Sequence, residues 1–280
     1  MAAVLAASAA VEISDVLNRS RASAERAVAA LGAGRAIGNP AEFSDADFWL
    51  ISTSDGGIES AAGNLAAARP DLSGRVVFHL SGRFGPEVLE AAAVAGAGTA
   101  AVHPVRSMSK LSTDPAAFAG TLCVAEGSRA ALDALKPPFE AAGASWREVH
   151  GLQRGLYHAA LAIISNVTKG VIWKAQNWLE RAGLDASTAA DASHSLLSIT
   201  TEDVFRDGVR HSITGPVVRG DTSTIEAHLE ALEALGRDDA EVYRVLARTV
   251  LELANERGDL DDAVLERFEI LLGGKTPRRT

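Results

Sequence analysis

The sequence predicts an α/β domain on a mostly parallel sheet, followed by an all-helical domain, and three observations carry that reading. In the first half, short apolar runs without clean polar alternation recur between helical patterns, as strands covered on both faces do. From about Gly151 nearly every stretch follows helical periodicity. Hydrophobic residues make up 47% of the 280, enough to bury a sizeable core. The expected domains are residues 1–150 and 151–280.

In chain order, Met1 to Ala10 reads as a piece of helix. Val11 to Leu17 is a strand, closed by Asn18-Arg19-Ser20-Arg21. Ser23 to Leu31 is helical, and Gly32 to Gly38 reads as a helix end and a loose surface loop. Phe48 to Thr53 is a continuous apolar strand that turns at Ser54-Asp55-Gly56-Gly57. Arg75 to Leu80 is a strand closed by Ser81-Gly82, Pro86 to Gly96 a helix, and Thr99 to Val102 and Thr121 to Ala125 further strands. Beyond Gly151, Leu156 to Ala182 reads as one long helix with Gly183 past its end. Thr188 to Phe205, Ser223 to Leu235, Glu241 to Arg257 and Asp262 to Leu272 follow, with Gly215-Pro216 as a break and Ser223 and Glu226 at capping-box spacing.

Composition excludes several classes. A net charge of -9 with no Lys/Arg run argues against nucleic acid or an anionic membrane as partner. The short basic end, Lys275, Arg278 and Arg279, reads as solubilising. No apolar stretch is long enough to cross a bilayer. The single cysteine, Cys123, lies in an apolar run and reads as a small buried hydrophobe. It leaves no internal disulfide or paired-cysteine metal site, and a cytoplasmic location is expected.

Four short motifs follow one another: His79-Leu80-Ser81-Gly82, Val102-His103-Pro104, Tyr157-His158-Ala159-Ala160 with Ser165-Asn166, and Thr214-Gly215-Pro216 with Arg219-Gly220-Asp221. In that order and spacing they resemble a group of Rossmann-like oxidoreductases whose C-terminal domain has no assigned function. The group is similar to ketopantoate reductase, pyrroline-5-carboxylate reductase and 6-phosphogluconate dehydrogenase. The resemblance runs from Met1 to about Leu272. It implies a dinucleotide-binding α/β domain and then an all-α domain of the 6-phosphogluconate dehydrogenase type. It also implies a homodimer formed through the helical domains, and ketopantoate reduction as one activity of relatives.

A fold that holds a dinucleotide opens with a strand, a G-x-G-x-x-G loop and a helix whose N-terminus takes the pyrophosphate. Here the chain opens on what reads as that helix, and Val11 to Leu17 reads as the second strand. Gly32-Ala33-Gly34-Arg35-Ala36-Ile37-Gly38 is no substitute: it follows a helix, and its third glycine is one residue too far. Either the first strand and its loop lie upstream of Met1, the favoured reading, or the domain has lost its pyrophosphate cradle. After the second strand, Asn18, Arg19 and Ser20 carry an arginine where an acidic residue would favour NAD, so the expected cofactor is NADP (NADPH), with Arg19 and Ser20 on its 2′-phosphate.

Ligands of such sheets lie at the carboxyl ends of the strands, where Ser52 to Asp55, His79 to Gly82 and His103-Pro104 converge. Ser52, Thr53 and Ser54 are expected near the nicotinamide half, with Ser81 on the next loop; a plain strand-to-helix turn is the equal alternative for Ser54 to Gly57. His103 suits proton donation to a carbonyl, or else is a turn histidine bonded to backbone; its His-Pro pair also resembles the loop of prephenate dehydrogenases. His79 reads as a core residue. At 3.6 residues per turn, His158, Ala162, Ser165 and Lys169 fall on one stripe, with Asn166 beside it. His158 and Asn166 are expected in a site between the domains, and Ser165 in a helix–helix seam. Lys169 is a substrate-binding ammonium or a solvated end. Arg219 is expected to clamp a substrate carboxylate, and Asp221 to cap a helix. Trp173 and Trp178 read as core or dimer contacts. The enzymes resembled place a catalytic lysine one turn before the helix asparagine. Ala162 stands there, so the proton donor falls to His103 or His158. The expected function is NADPH-dependent reduction of a small 2-oxo acid or a cyclic imine. The alternative is a non-catalytic nucleotide-sensing or scaffold protein on the same fold.

Overall fold

In the computed structural model, which describes residues 1–107 and 116–275, the apolar runs become seven strands: β1 (Asp15–Leu17), β2 (Arg35–Ile37), β3 (Phe48–Ile51), β4 (Val76–His79), β5 (Gly98–Pro104), β6 (Leu122–Gly127) and β7 (Ser145–Glu148). Arg278 and Arg279 lie outside the described residues. The helices are α1 (Ala2–Ala7), α2 (Arg21–Leu31), α3 (Ile58–Ala68), α4 (Glu90–Val94), α5 (Arg129–Ala141), α6 (Arg154–Ala162), α7 (Thr168–Arg181), α8 (Ala186–Asp207), α9 (Val209–Ser212), α10 (Thr222–Leu235), α11 (Arg237–Arg257) and α12 (Asp262–Leu272). The chain divides into two compact units, Met1–Gly170 and Val171–Thr280.

The first unit carries both sheets. One is the parallel pair β1–β2; the other runs β3-β4-β5-β6-β7, parallel except between β5 and β6. A doubly wound sheet runs 3-2-1-4-5-6. The pair β2-β1 matches its first two places and β3-β4-β5 its last three. The central strand of that order has no counterpart among the described residues, and β1 and β3 each pair on one side only.

Continuous apolar strands follow from two covered faces. On one face Val76, Phe78, Ala100, Val102, Cys123 and Ala125 pack with Leu132, Leu135 and Phe139 of α5 and with Val4 and Leu5 of α1. On the other, Trp49, Ile51 and Val77 pack with Ile58, Ala62 and Leu65 of α3. Val76, Val77 and Phe78 thus alternate between two cores, and the one polar position of β4 is its last, His79.

Several details depart from the sequence reading. The segment after Gly32, expected as a loose loop, holds β2. Its Arg35 bonds the Asp15 carboxylate at 2.8 Å, and Asp15 lies directly across the ladder. Gly32 itself caps α2 with φ 68°. The helix α5, which the sequence reading did not assign, carries Pro137 and Pro138 within it, residues that ordinarily break a helix. The polar edge strand β7 lacks the apolar run that marks a strand. The long helix is interrupted at Ile163–Val167 by a π-helical turn. Asp221 caps α10 by accepting from the Thr224 N–H, and the Ser223 hydroxyl donates to Asp221, so the Ser223–Glu226 capping box does not form.

The change to helical sequence at Gly151 and the division after Gly170 are different boundaries, because α6 still packs on the sheet unit. The second unit is built round Ile225, Leu229, Leu251, Leu265 and Phe268. Its helix α8 runs 22 residues and buries only Ala189. Trp178 donates its indole N–H to Asp239 at 2.7 Å, while Trp173 is 64% exposed. Among the described residues no helix is long and apolar enough to cross a membrane.

Candidate active site

The carboxyl ends of β4 and β5 and the first turns of α6 meet in the first unit. His79, the last residue of β4, is fully buried. Its Nδ1 accepts the Ser81 N–H at 3.1 Å, and its Nε2 lies 2.9 Å from the Gly85 carbonyl oxygen. An N–H donated to Nδ1 leaves that nitrogen unprotonated, so the proton sits on Nε2 and the ring is neutral. Burial lowers its pKa in the same sense. As expected of a core residue, His79 shapes the loop that follows. The Ser81 hydroxyl is spent on that loop too, accepting the N–H groups of Arg83 and Phe84.

That loop seats His103. A Cβ at Gly82 would lie 2.8 Å from His103 Cε1, so only glycine lets the imidazole rest there. On its other side His103 Nδ1 is 2.8 Å from the Tyr157 hydroxyl, the two rings standing edge to face. The His103 partner is therefore a tyrosine of α6 and not backbone. Its Nε2 bonds to nothing among the described residues. Burial and then the charges of His158 and Arg154 hold its pKa down at about 4, so the ring is neutral near pH 7. The sequence reading ended this strand at Val102 and put His103-Pro104 in the loop after it; β5 instead runs on to Pro104, so His103 is a strand residue paired with Val124 of β6.

Beneath the pair, Arg154 bonds Glu126 Oε2 through Nε and Nη2, at 3.1 and 2.7 Å. Glu126 Oε1 accepts the Gly151 N–H at 2.7 Å. These bonds fasten the start of α6 to β6. Arg154 is 9% exposed, and its Nη1 is buried without a partner. Tyr157, Glu126, Arg154 and Gly82 escaped the sequence reading as site residues. The signal was there in an acid ending an apolar strand and a tyrosine beside the chosen His158.

The inward stripe of α6 and its continuation is Arg154, Tyr157, Leu161, Ser165 and Thr168; His158, Asn166 and Lys169 are exposed. The expected stripe of His158, Ser165 and Lys169 therefore does not form one face. Its 3.6-residue spacing fails across the π turn, where the Thr168 hydroxyl bonds back to Ile163 O and Ser165 to Leu161 O. Asn166 and Lys169 make no side-chain hydrogen bond among the described residues. In the second unit, Arg219 is exposed on the turn before α10. Cys123 is buried, and burial pushes its thiol up to about 12, as an inert core residue requires.

The residues present fit two parts of a dinucleotide. After β1, Arg19 is exposed and makes no bond among the described residues, while Ser20 accepts the Ser23 N–H as the cap of α2 and Asn18 Nδ2 donates to Ser23 O. After β3, Ser52, Thr53 and Ser54 are all exposed. The free guanidinium suits a phosphate, and the serine-rich loop suits an amide-bearing ring. A pyrophosphate cradle has no counterpart among the described residues. No group of three or more His, Cys, Asp or Glu among them is arranged to hold a metal ion.

Residues 121–250 match the family model of a domain of unknown function (DUF2520). No curated protein matches the sequence. Among solved structures, a candidate NADP oxidoreductase from Bacteroides fragilis is 20% identical, with a TM-score of 0.69 over 90% of this chain and 92% of that one. An imine reductase from Myxococcus stipitatus in complex with NADP+ is 14% identical, with a TM-score of 0.60 over 95% of each chain. A pyrroline carboxylate reductase from Plasmodium falciparum with NADP bound is 12% identical, with a TM-score of 0.56 over 96% and 92%. The chain has the fold of the NADP-binding reductases: a largely parallel α/β domain followed by a helical C-terminal region.

Proposed function

We propose that the protein is an NADP-dependent oxidoreductase that reduces the C=O or C=N bond of a small substrate, a 2-oxo acid of the ketopantoate kind or a cyclic imine. The observation that carries this reading is the neutral His103, seated on Gly82 at the carboxyl edge of the sheet, with its Nε2 unbonded among the described residues. Arg19, with Asn18 and Ser20 beside it, would hold the 2′-phosphate. Ser52, Thr53, Ser54 and Ser81 would line the nicotinamide half. When bound, the reduced nicotinamide supplies hydride. His103 faces the oxygen or nitrogen that gains charge as the bond is reduced, and its Nε2–H stabilises that charge as a hydrogen-bond donor. His158 and Asn166 would orient the substrate from the helix, with the Lys169 ammonium for a substrate carboxylate; the Arg219 guanidinium, in the second unit, suits an anion in its own right. The two domains are residues 1–150, which hold the cofactor, and 151–280. The latter pair with a second copy, as the almost unburied α8 favours.

The test is loss of NADPH absorbance with a panel of 2-oxo acids and cyclic imines, alongside cofactor titrations. Arg19→Ala should weaken NADPH binding about tenfold or more and leave NADH unchanged, since only NADPH offers a second anion to the guanidinium. Equal losses for both cofactors would place the 2′-phosphate elsewhere. No turnover across the panel would favour the non-catalytic sensing or scaffold reading.

A further inference from the structure

We propose that Tyr157 is the proton source behind His103, and that the buried Arg154 guanidinium holds the negative charge this proton leaves behind. The inference rests on the reductase reading and deepens it. A tyrosine hydroxyl has one proton to give, and among the described residues the acceptor in reach is His103 Nδ1, at 2.8 Å. In the relay the hydroxyl donates, Nδ1 accepts, and the ring proton sits on Nε2. A neutral imidazole that surrendered its Nε2 proton alone would become an imidazolate, which a half-buried site cannot support. If the Tyr157 proton crosses to Nδ1 as the Nε2 proton leaves, the ring stays neutral and only changes tautomer.

The step balances. When bound, a reduced nicotinamide would supply the hydride for the carbon of the C=O or C=N bond, and the chain's own residues supply the proton. The oxygen or nitrogen takes the His103 Nε2 proton, and Nδ1 takes the Tyr157 hydroxyl proton. Once product has gone, Nε2 takes a proton from water and the Nδ1 proton returns to Tyr157, which restores the resting tautomer.

Arg154 makes that phenolate affordable. It stands one turn before Tyr157 on α6. Its Nε and Nη2 are committed to Glu126, but Nη1 is buried with no partner among the described residues. Burial raises the pKa of the Tyr157 hydroxyl, and the Arg154 charge opposes that rise. Glu126, with its two backbone N–H donors, keeps the guanidinium where it is. Gly82 presses the imidazole from the opposite side, so the His103–Tyr157 geometry is fixed by three elements.

The direction of the bond is testable on the protein alone. Nitrogen-15 NMR of the His103 ring should show the Nε2–H tautomer in wild type and a tautomer mixture in Tyr157→Phe, which keeps the ring but loses the hydroxyl. An Nδ1–H tautomer in wild type would overturn the relay, since Tyr157 would then be accepting. With NADPH and a substrate that turns over, Tyr157→Phe should lower kcat about a hundredfold with KM little changed. In H2O/D2O mixtures, wild-type kcat should curve, as for two protons in flight, and the variant should respond linearly. Should Tyr157→Phe fold poorly, the wild-type curvature decides alone, a straight line overturning the relay. Equal kcat in wild type and variant defeats the relay and spares the reductase reading. No turnover by wild type defeats both.

Discussion

At His79 a single hydrogen-bond pattern fixes a charge state. Its Nδ1 accepts an N–H, so a second proton could enter only by breaking that bond. His103 is held down to about 4, first by burial and then by its electrostatic neighbours, Arg154 among them. Both folded-state pKa values lie below the unfolded value near 6.5. The unfolded chain therefore binds more protons as pH falls, and stability drops below about pH 6.5, continuing towards pH 4. The melting temperature should be several degrees lower at pH 5 than at pH 7.5, and His79→Gln should reduce that difference. An equal or larger difference in the variant would mean other groups carry the acid sensitivity. At this scale the sequence named His103 but placed it in a loop after the strand, whereas β5 runs on through it to Pro104. It could not name the partner, because Tyr157 lies 54 residues away and no local pattern links the two.

Among the elements, α6 is held by one ion pair. The side chains of Arg154 and Glu126 are 8% and 15% exposed. Glu126→Ala leaves a buried guanidinium without its counter-charge and should cost about 3–5 kcal/mol. Chemical denaturation checks this, and a loss under about 1 kcal/mol would show that the pair is not what fastens α6. Strands and helices with one clear period were legible: β4 from its apolar run, α12 to the residue. Where two rules conflicted, the fold was not. Pro137 and Pro138 sit within α5, whose buried Leu132, Leu135 and Phe139 outweigh the breakers. The π turn at Ile163–Val167 shifts every later residue off a 3.6-residue stripe, and only tertiary packing decides where such a turn falls. That is why Asn166 and Lys169 could be chosen by type but not aimed.

For the whole molecule, α8 raises the question of partners. Leu196, Ile199 and Phe205 are 69%, 55% and 84% exposed. A 22-residue helix that buries one alanine needs another surface to cover it. The proposed homodimer predicts two copies in sedimentation equilibrium, and a shift to monomer when Leu196, Ile199 and Phe205 are changed together to serine. A wild-type monomer at micromolar concentration would rule it out.

The divided sheet bears on how the chain behaves in a crowded solution. Among the described residues, strands β1 and β3 each pair on one side, and an unpaired strand edge is a row of N–H and C=O groups that another backbone can join. The β1 edge is guarded: the Asp15 carboxylate on that strand is held by Arg35 and the Ser44 N–H. The β3 edge is Phe48-Trp49-Leu50-Ile51, with no charge among its four residues. Self-association through a growing sheet should therefore start at β3, and an extended apolar segment laid alongside it would act as a molecular stopper against aggregation.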